Sequence, residues 1–190
     1  LEIGMVNHFR LAVHLVVFFA IMCYTYWLIL SFTQVEKSTN KPINKLSQYL
    51  IIALLVQIIY GAFVAALKAG YLLPAKGGVF ESIFGYSFRN NNDFNLLNNS
   101  FDIQAFHRLF AWVVFAITLI IFNKTKKTTL AKAGTLVLGL TITQIILGIS
   151  TLLLSVQIHT AITHQFIAMI LLLSVVKLTY LSSEKSQLGA

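Results

Sequence analysis

The chain has 190 residues, of which 57% are hydrophobic and only 11% charged, with a formal net charge of +8. So little charge cannot cover the surface of a water-soluble domain of this size. A basic excess raises the question of nucleic acid, but the positions of the lysines exclude that reading, as the order of elements makes plain.

The apolar residues fall in five long runs. Leu11–Phe32, Tyr49–Leu67 and Ala133–Val156 contain no Asp, Glu, Lys or Arg. Ile103–Phe122 contains only Arg108, and Ala161–Leu181 only Lys177. A spanning helix needs roughly 20 such residues. The expected fold is an all-α integral membrane protein with five transmembrane helices. Lys37, Lys41 and Lys45 follow the first run, Lys124, Lys126, Lys127 and Lys132 the third in chain order, Lys177 stands near the end of the last, and Lys185 follows it. In alternating topology all nine share one side, which the positive-inside rule makes cytoplasmic. The charge thus reports topology, and no nucleic-acid partner is expected.

Three regions follow from this order. Residues 1–46 read as an outer tail, one spanning helix and a cytoplasmic connection. Residues 47–181 read as a four-helix bundle, and 182–190 as a cytoplasmic tail. The chain opens on Leu1, and Leu1–Phe9 reads as the end of an outer loop of a longer protein. Lys68–Gln104 is far longer than the other connections and carries an Asn cluster from Asn90 to Asn99. Loops beyond about 12–15 residues are commonly functional lids or disordered, and a partial lid over the bundle mouth is favoured. The connection near Gln157–Thr160 is short enough for a tight hairpin.

The bundle contains a repeat. Gln57-Ile58-Ile59-Tyr60-Gly61 precedes His107-Arg108-Leu109-Phe110-Ala111, and Gln144-Ile145-Ile146-Leu147-Gly148 precedes His164-Gln165-Phe166-Ile167-Ala168. Corresponding helices run in the same sense, so the last four form an antiparallel bundle with internal two-fold pseudo-symmetry along the membrane normal. His107 and His164 then fall at matching depth. Polar residues in spanning segments are costly and mark function by default. Two imidazoles facing across a bundle can take both axial positions of a haem iron, and this reading is favoured over interhelical hydrogen bonding.

The remaining polar and small residues leave choices open. Gly61 and Gly148 admit a flat macrocycle or a neighbouring helix equally. Gln57 and Gln144 can bond a cofactor, a histidine ring or another helix, the last being favoured. Arg10 and Arg108 can pair with haem propionates or snorkel to the interface. His14, one turn beyond Arg10, lies at the depth of the other two histidines but outside the repeat. His8 and His159 are expected in outer loops. All six acids, Asp102 among them, are expected outside the helices. Cys23 alone can form no intrachain disulfide.

Four stretches together resemble the haem A synthase family. They are Arg10-Leu11-Ala12-Val13-His14-Leu15, Gln57 through Gly70, Gln104-Ala105-Phe106-His107-Arg108, and Gln144 through Leu152 continued by His164-Gln165. The resemblance implies the C-terminal portion, helices four to eight of eight. It also implies oxidation of the C8 methyl of haem O, the substrate, to the formyl of haem A for terminal oxidases. It makes His107 and His164 axial ligands of a haem b and His14 a ligand of the substrate haem. The family's first three helices, with its other substrate-site histidine and its essential glutamate, have no counterpart here, so this portion is not expected to be catalytic alone. The stretch Tyr71-Leu72-Leu73-Pro74-Ala75-Lys76-Gly77-Gly78 departs from the family's Trp-Pro segment, and the outer-loop cysteine pair of some members is lacking. Implied partners are the lipid bilayer, haem O synthase, terminal oxidase assembly factors, an electron donor and a homo-oligomer, in the inner membrane of a bacterium. The alternatives are a b-type electron-transfer cytochrome, or a non-haem transporter or assembly scaffold.

Overall fold

In a computed structural model, residues 7–33, 35–72 and 95–184 are described. They form α1 (His8–Phe32), α2 (Lys41–Ala66), α3 (Ser100–Thr125), α4 (Ala131–Leu153) and α5 (Ile158–Ser182), with a 3-10 turn at Ala69–Tyr71. All five helices are long and apolar enough to cross a membrane. In lipid, a helix satisfies its own backbone polar groups, which is why such sequences adopt no other local structure.

The starts of three helices are written in asparagine. The side chain of Asn7 accepts from Phe9 N, that of Asn40 from Ile43 N, and that of Asn99 from Phe101 N. Each satisfies an amide with no intrahelical partner. Asn99 also moves one boundary: α3 begins at Ser100, so Asp102 lies in its first turn and is buried, contrary to the expectation that every acid stands outside the helices. Its Oδ2 accepts from Asn95 N at 2.8 Å and ties down the preceding turn. His8 and His159 also belong to first helical turns, of α1 and α5. The α4–α5 hairpin turns at Leu154–Gln157, a few residues earlier than expected. Most of the expected lid, residues 73–94, lies outside the described residues.

The last four helices close a ring. Helix α2 packs on α3 and α5, and α4 packs on the same two, so α3 and α5 stand diagonally across the axis. Helix α1 lies outside, against α2 and α5. It contributes Ala12, Phe19 and Leu30 to the buried surface and leaves Val13, Val17, Ile21 and Tyr24 exposed.

The two-fold repeat extends to details that the motifs did not carry. Gln57 and Gly61 stand nine and five residues before the end of α2; Gln144 and Gly148 stand at the same distances from the end of α4. Two residues beyond each end the backbone turns left-handed, at Lys68 and Ser155, both with φ 52°. The two turns meet: Gly70 faces Val156, where a Cβ would come within 2.8 Å of Val156 Cγ2.

The bundle is held most tightly at its lysine-rich end. Leu50, Ile121, Val137 and Val175 are fully buried there. Small residues let the helices cross closely. On the α3–α4 side, Gly134 lies against Thr125, and on the α2–α5 side Thr179 Oγ1 donates to Ser47 Oγ at 2.9 Å. Asn44 Nδ2 reaches the Thr179 carbonyl at 2.7 Å. The α1–α2 connection seals this end, with Ser38 N donating to the Leu181 carbonyl and Asn40 N to that of Ser182.

Candidate functional site

The opposite end of the bundle is packed differently. Gln57, Gly61, His107, Gln144, Gly148 and His164 face neighbouring helices, yet all are only half-buried. Helices α4 and α5 bury no residue in the halves nearest this end. The motif residues are only partly covered by the neighbouring helices.

His107 is seven residues into α3 and His164 six into α5. At ~1.5 Å per residue their depths agree closely. Because α3 and α5 are diagonal, the two histidines lie on opposite sides of the bundle axis. Each ring sits on a glycine. A Cβ on Gly61 would lie 3.2 Å from His107 Cε1, and one on Gly148 3.4 Å from His164 Cε1. Of the two roles open to these glycines, the structure shows neither a backbone crossing nor an empty face: each seats the edge of an imidazole.

The glutamines belong to the same pattern. Gln57 Nε2 donates to the main-chain carbonyl of His107 at 2.8 Å, an interhelical bond of the kind expected. Its Oε1 is buried without a partner, as is Gln144 Oε1. The main-chain carbonyls of Gln57 and Gln144 face the two rings, while Nδ1 of each histidine is buried with no hydrogen-bond partner. A buried polar atom left without a partner costs about 1–3 kcal/mol. Here the deficits occur in symmetric pairs, in one region.

Gln104 was not singled out by its own chemistry in the sequence, only as part of a motif. It lies one turn before His107, is 3% exposed, and its Nε2 has no partner. The signal was the Gln-x-x-His spacing, which puts the two side chains on one helix face. Arg108 is half-buried and engaged with other groups of the protein.

Arg10 and His14 are not brought to this pair. Both are exposed on α1, outside the ring of four helices. His14 shares its exposed side with Val13 and Val17. Beside it, between α1 and α2, runs an apolar groove of about 300 Å³ lined by Phe9, Ala12, Val16, Ile59 and Phe63 among others.

The model of one family, described as cytochrome oxidase assembly protein, matches residues 2–176. A haem A synthase of Flavobacterium johnsoniae is 38% identical over 180 residues, covering 88% of this chain and 52% of that protein. One from Brucella anthropi is 32% identical over 183 residues, covering 90% and 50%. A third, from Brucella suis, is 29% identical over 178 residues with the same coverage. The chain thus spans about half the length of the curated relatives it matches. No solved structure matches it. With nearly its whole length matched by the family model and its repeat laid out around two histidines, the chain belongs to the cytochrome oxidase assembly protein family, among whose curated relatives are these haem A synthases.

Proposed function

We propose that this chain is the haem-binding part of a haem A synthase, with His107 and His164 as the axial ligands of one b-type haem. One observation carries the reading: two imidazoles on diagonal helices, at matching depth, each seated on a glycine, in the loosely packed half of the bundle. Among the described residues no three His, Cys, Asp or Glu side chains gather into a metal site. A haem iron needs only two protein ligands, because the macrocycle supplies four. The two histidines meet that requirement in number, and both are only partly covered by protein.

When bound, the haem supplies a one-electron carrier whose iron has no open position. The protein's work is to hold it. A hydrogen bond from each Nδ1–H to the Gln57 or Gln144 carbonyl facing the ring would fix the tautomer and leave Nε2 for iron. Gly61 and Gly148 keep the rings close to the facing helices. Arg108, and Arg10 at the same end, balance the carboxylates of haem groups.

The activity of the whole-length protein is assigned on the family: oxidation of the C8 methyl of haem O to the formyl of haem A, for terminal oxidases of a bacterial inner membrane. In that protein His14 serves the substrate haem. Its exposure on the outward side of α1, at membrane depth, fits a role toward a group outside this bundle. A polar ring facing lipid alone would be costly.

The test is a reduced-minus-oxidised absorption spectrum of the purified chain supplied with haem. One low-spin b-type haem per chain is expected, and His107→Ala or His164→Ala should abolish the low-spin signature. An unchanged spectrum in both variants overturns the assignment.

A further inference from the structure

Gln104 is a buried amide with an unused donor, and neither the repeat nor the ligand pair accounts for it. Its residue is 3% exposed, and Nε2 meets no acceptor. Its counterpart in the second half of the repeat, three residues before His164, is Ala161, so the group is not a symmetric packing device. Burying a hydrogen-bond donor in an apolar bundle without a partner is unfavourable. The position pays this cost in the half of the bundle where the other polar deficits collect.

Its place on α3 indicates what it meets. At ~100° per residue, Gln104 projects between His107 and Arg108, within about 60° of the first and 40° of the second. It lies one turn, about 4.5 Å, closer than His107 to the end of the helix. Thr118 and Thr125, further along α3, approach α4, with Thr118 Oγ1 3.4 Å from Thr141 Oγ1. The Gln104 side of α3 is therefore turned toward the bundle interior. A donor between a ligand imidazole and a guanidinium, at the mouth side, suits an anionic acceptor on the edge of whatever the imidazole holds.

We propose that Gln104 donates its buried Nε2–H to a carboxylate on the edge of the haem held by His107 and His164. The proposal rests on the haem-binding reading above. It makes Gln104 a positioning residue, which acts on the charge and seating of the group and not on the iron itself.

The carboxylate can be removed chemically, which gives a direct test. The purified chain is loaded with protohaem, or with its dimethyl ester, in which both carboxylates are masked. The wild-type chain is compared with Gln104→Leu, and with Gln104→Met, whose closer shape guards against misfolding. With protohaem, both variants should keep the low-spin bis-imidazole spectrum, bind haem about tenfold more weakly, and show a lower midpoint potential. The direction follows from charge: a carboxylate that loses its donor favours the ferric form. With the dimethyl ester, wild type and variants should converge. An equal shift with both haems means a purely structural role and overturns the proposal, as does no shift with either. Failure of the wild-type chain to give a bis-imidazole spectrum overturns the haem-binding reading instead, and the two failures are distinct.

Discussion

The two ends of this bundle treat polar side chains in opposite ways. At the lysine-rich end, Thr125, Thr141, Thr179 and Ser182 are buried, and each hydroxyl donates to a carbonyl one turn back on its own helix. That bond needs nothing from outside the helix, so a hydroxyl is cheap to bury even in lipid. At the histidine end, hydroxyls such as that of Thr151 still bond one turn back, but amides and imidazoles stand among them. These groups are too long to satisfy themselves locally, and Gln57, Gln104, Gln144, His107 and His164 each keep a buried atom without a partner. The first end is finished as protein alone. The second leaves these atoms unsatisfied, which is what the proposed haem site would answer.

The largest test of that contrast is at Gly134. A Cβ there would overlap the Thr125 hydroxyl and lie 2.8 Å from Thr125 Cβ, which is not a flexible side-chain end. Gly134→Ala should cost about 1–3 kcal/mol, the range for overpacking a core. Gly139 lies on the same helix with nothing within 4 Å of its added Cβ. Gly139→Ala should be neutral or slightly stabilising. Thermal unfolding in detergent reads both. Equal effects at the two sites would show that this close crossing does not hold the bundle.

A smaller effect, on the other side of the contrast, is expected from the ring-seating glycines. Gly61→Ala meets His107 at 3.2 Å, where the ring must give by a few tenths of an ångström; Gly148→Ala meets His164 at 3.4 Å, close to ordinary contact. Both should leave the melting temperature nearly unchanged. With haem supplied, Gly61→Ala should shift the low-spin spectrum or loosen haem, and Gly148→Ala should do so less. The reverse order would mean that the rings are not set by these glycines.

Much of this division was legible in the sequence, for a physical reason. Spanning length and lysine placement are coarse constraints, and they were enough for five helices and their alternation. The Gln–Gly and His motifs repeat because the two halves solve the same packing problem, while the seating of His107 on Gly61 and of His164 on Gly148 comes from the structure. What the sequence hid depended on short-range competition or on side-chain direction. Asp102 reads as a loop residue until Asn99 is recognised as a cap, which draws the acid into the first turn of α3. Gln104 reads as a motif letter until its burial is known. The role of Gly61 and Gly148 could not be chosen, since a ring, a macrocycle and a helix all favour the same small residue.

The smallest effect belongs to an exposed ion pair at the lysine-rich end. Lys41 Nζ and Glu184 Oε1 are 2.8 Å apart, with side chains 79% and 65% exposed. The hydrogen bond and charge of Lys41 hold the Glu184 carboxyl below its ordinary value. A carboxyl lowered by folding stabilises the fold above its unfolded pKa, and that contribution disappears as pH falls through the lowered value. Exposed pairs contribute little and are screened by salt. Glu184→Gln should therefore lower the melting temperature only slightly at neutral pH and low salt. The difference should vanish in acid, where both chains carry a neutral group, and shrink with added salt. A difference that survived in acid would assign Glu184 a packing role at the end of α5 in place of an electrostatic one.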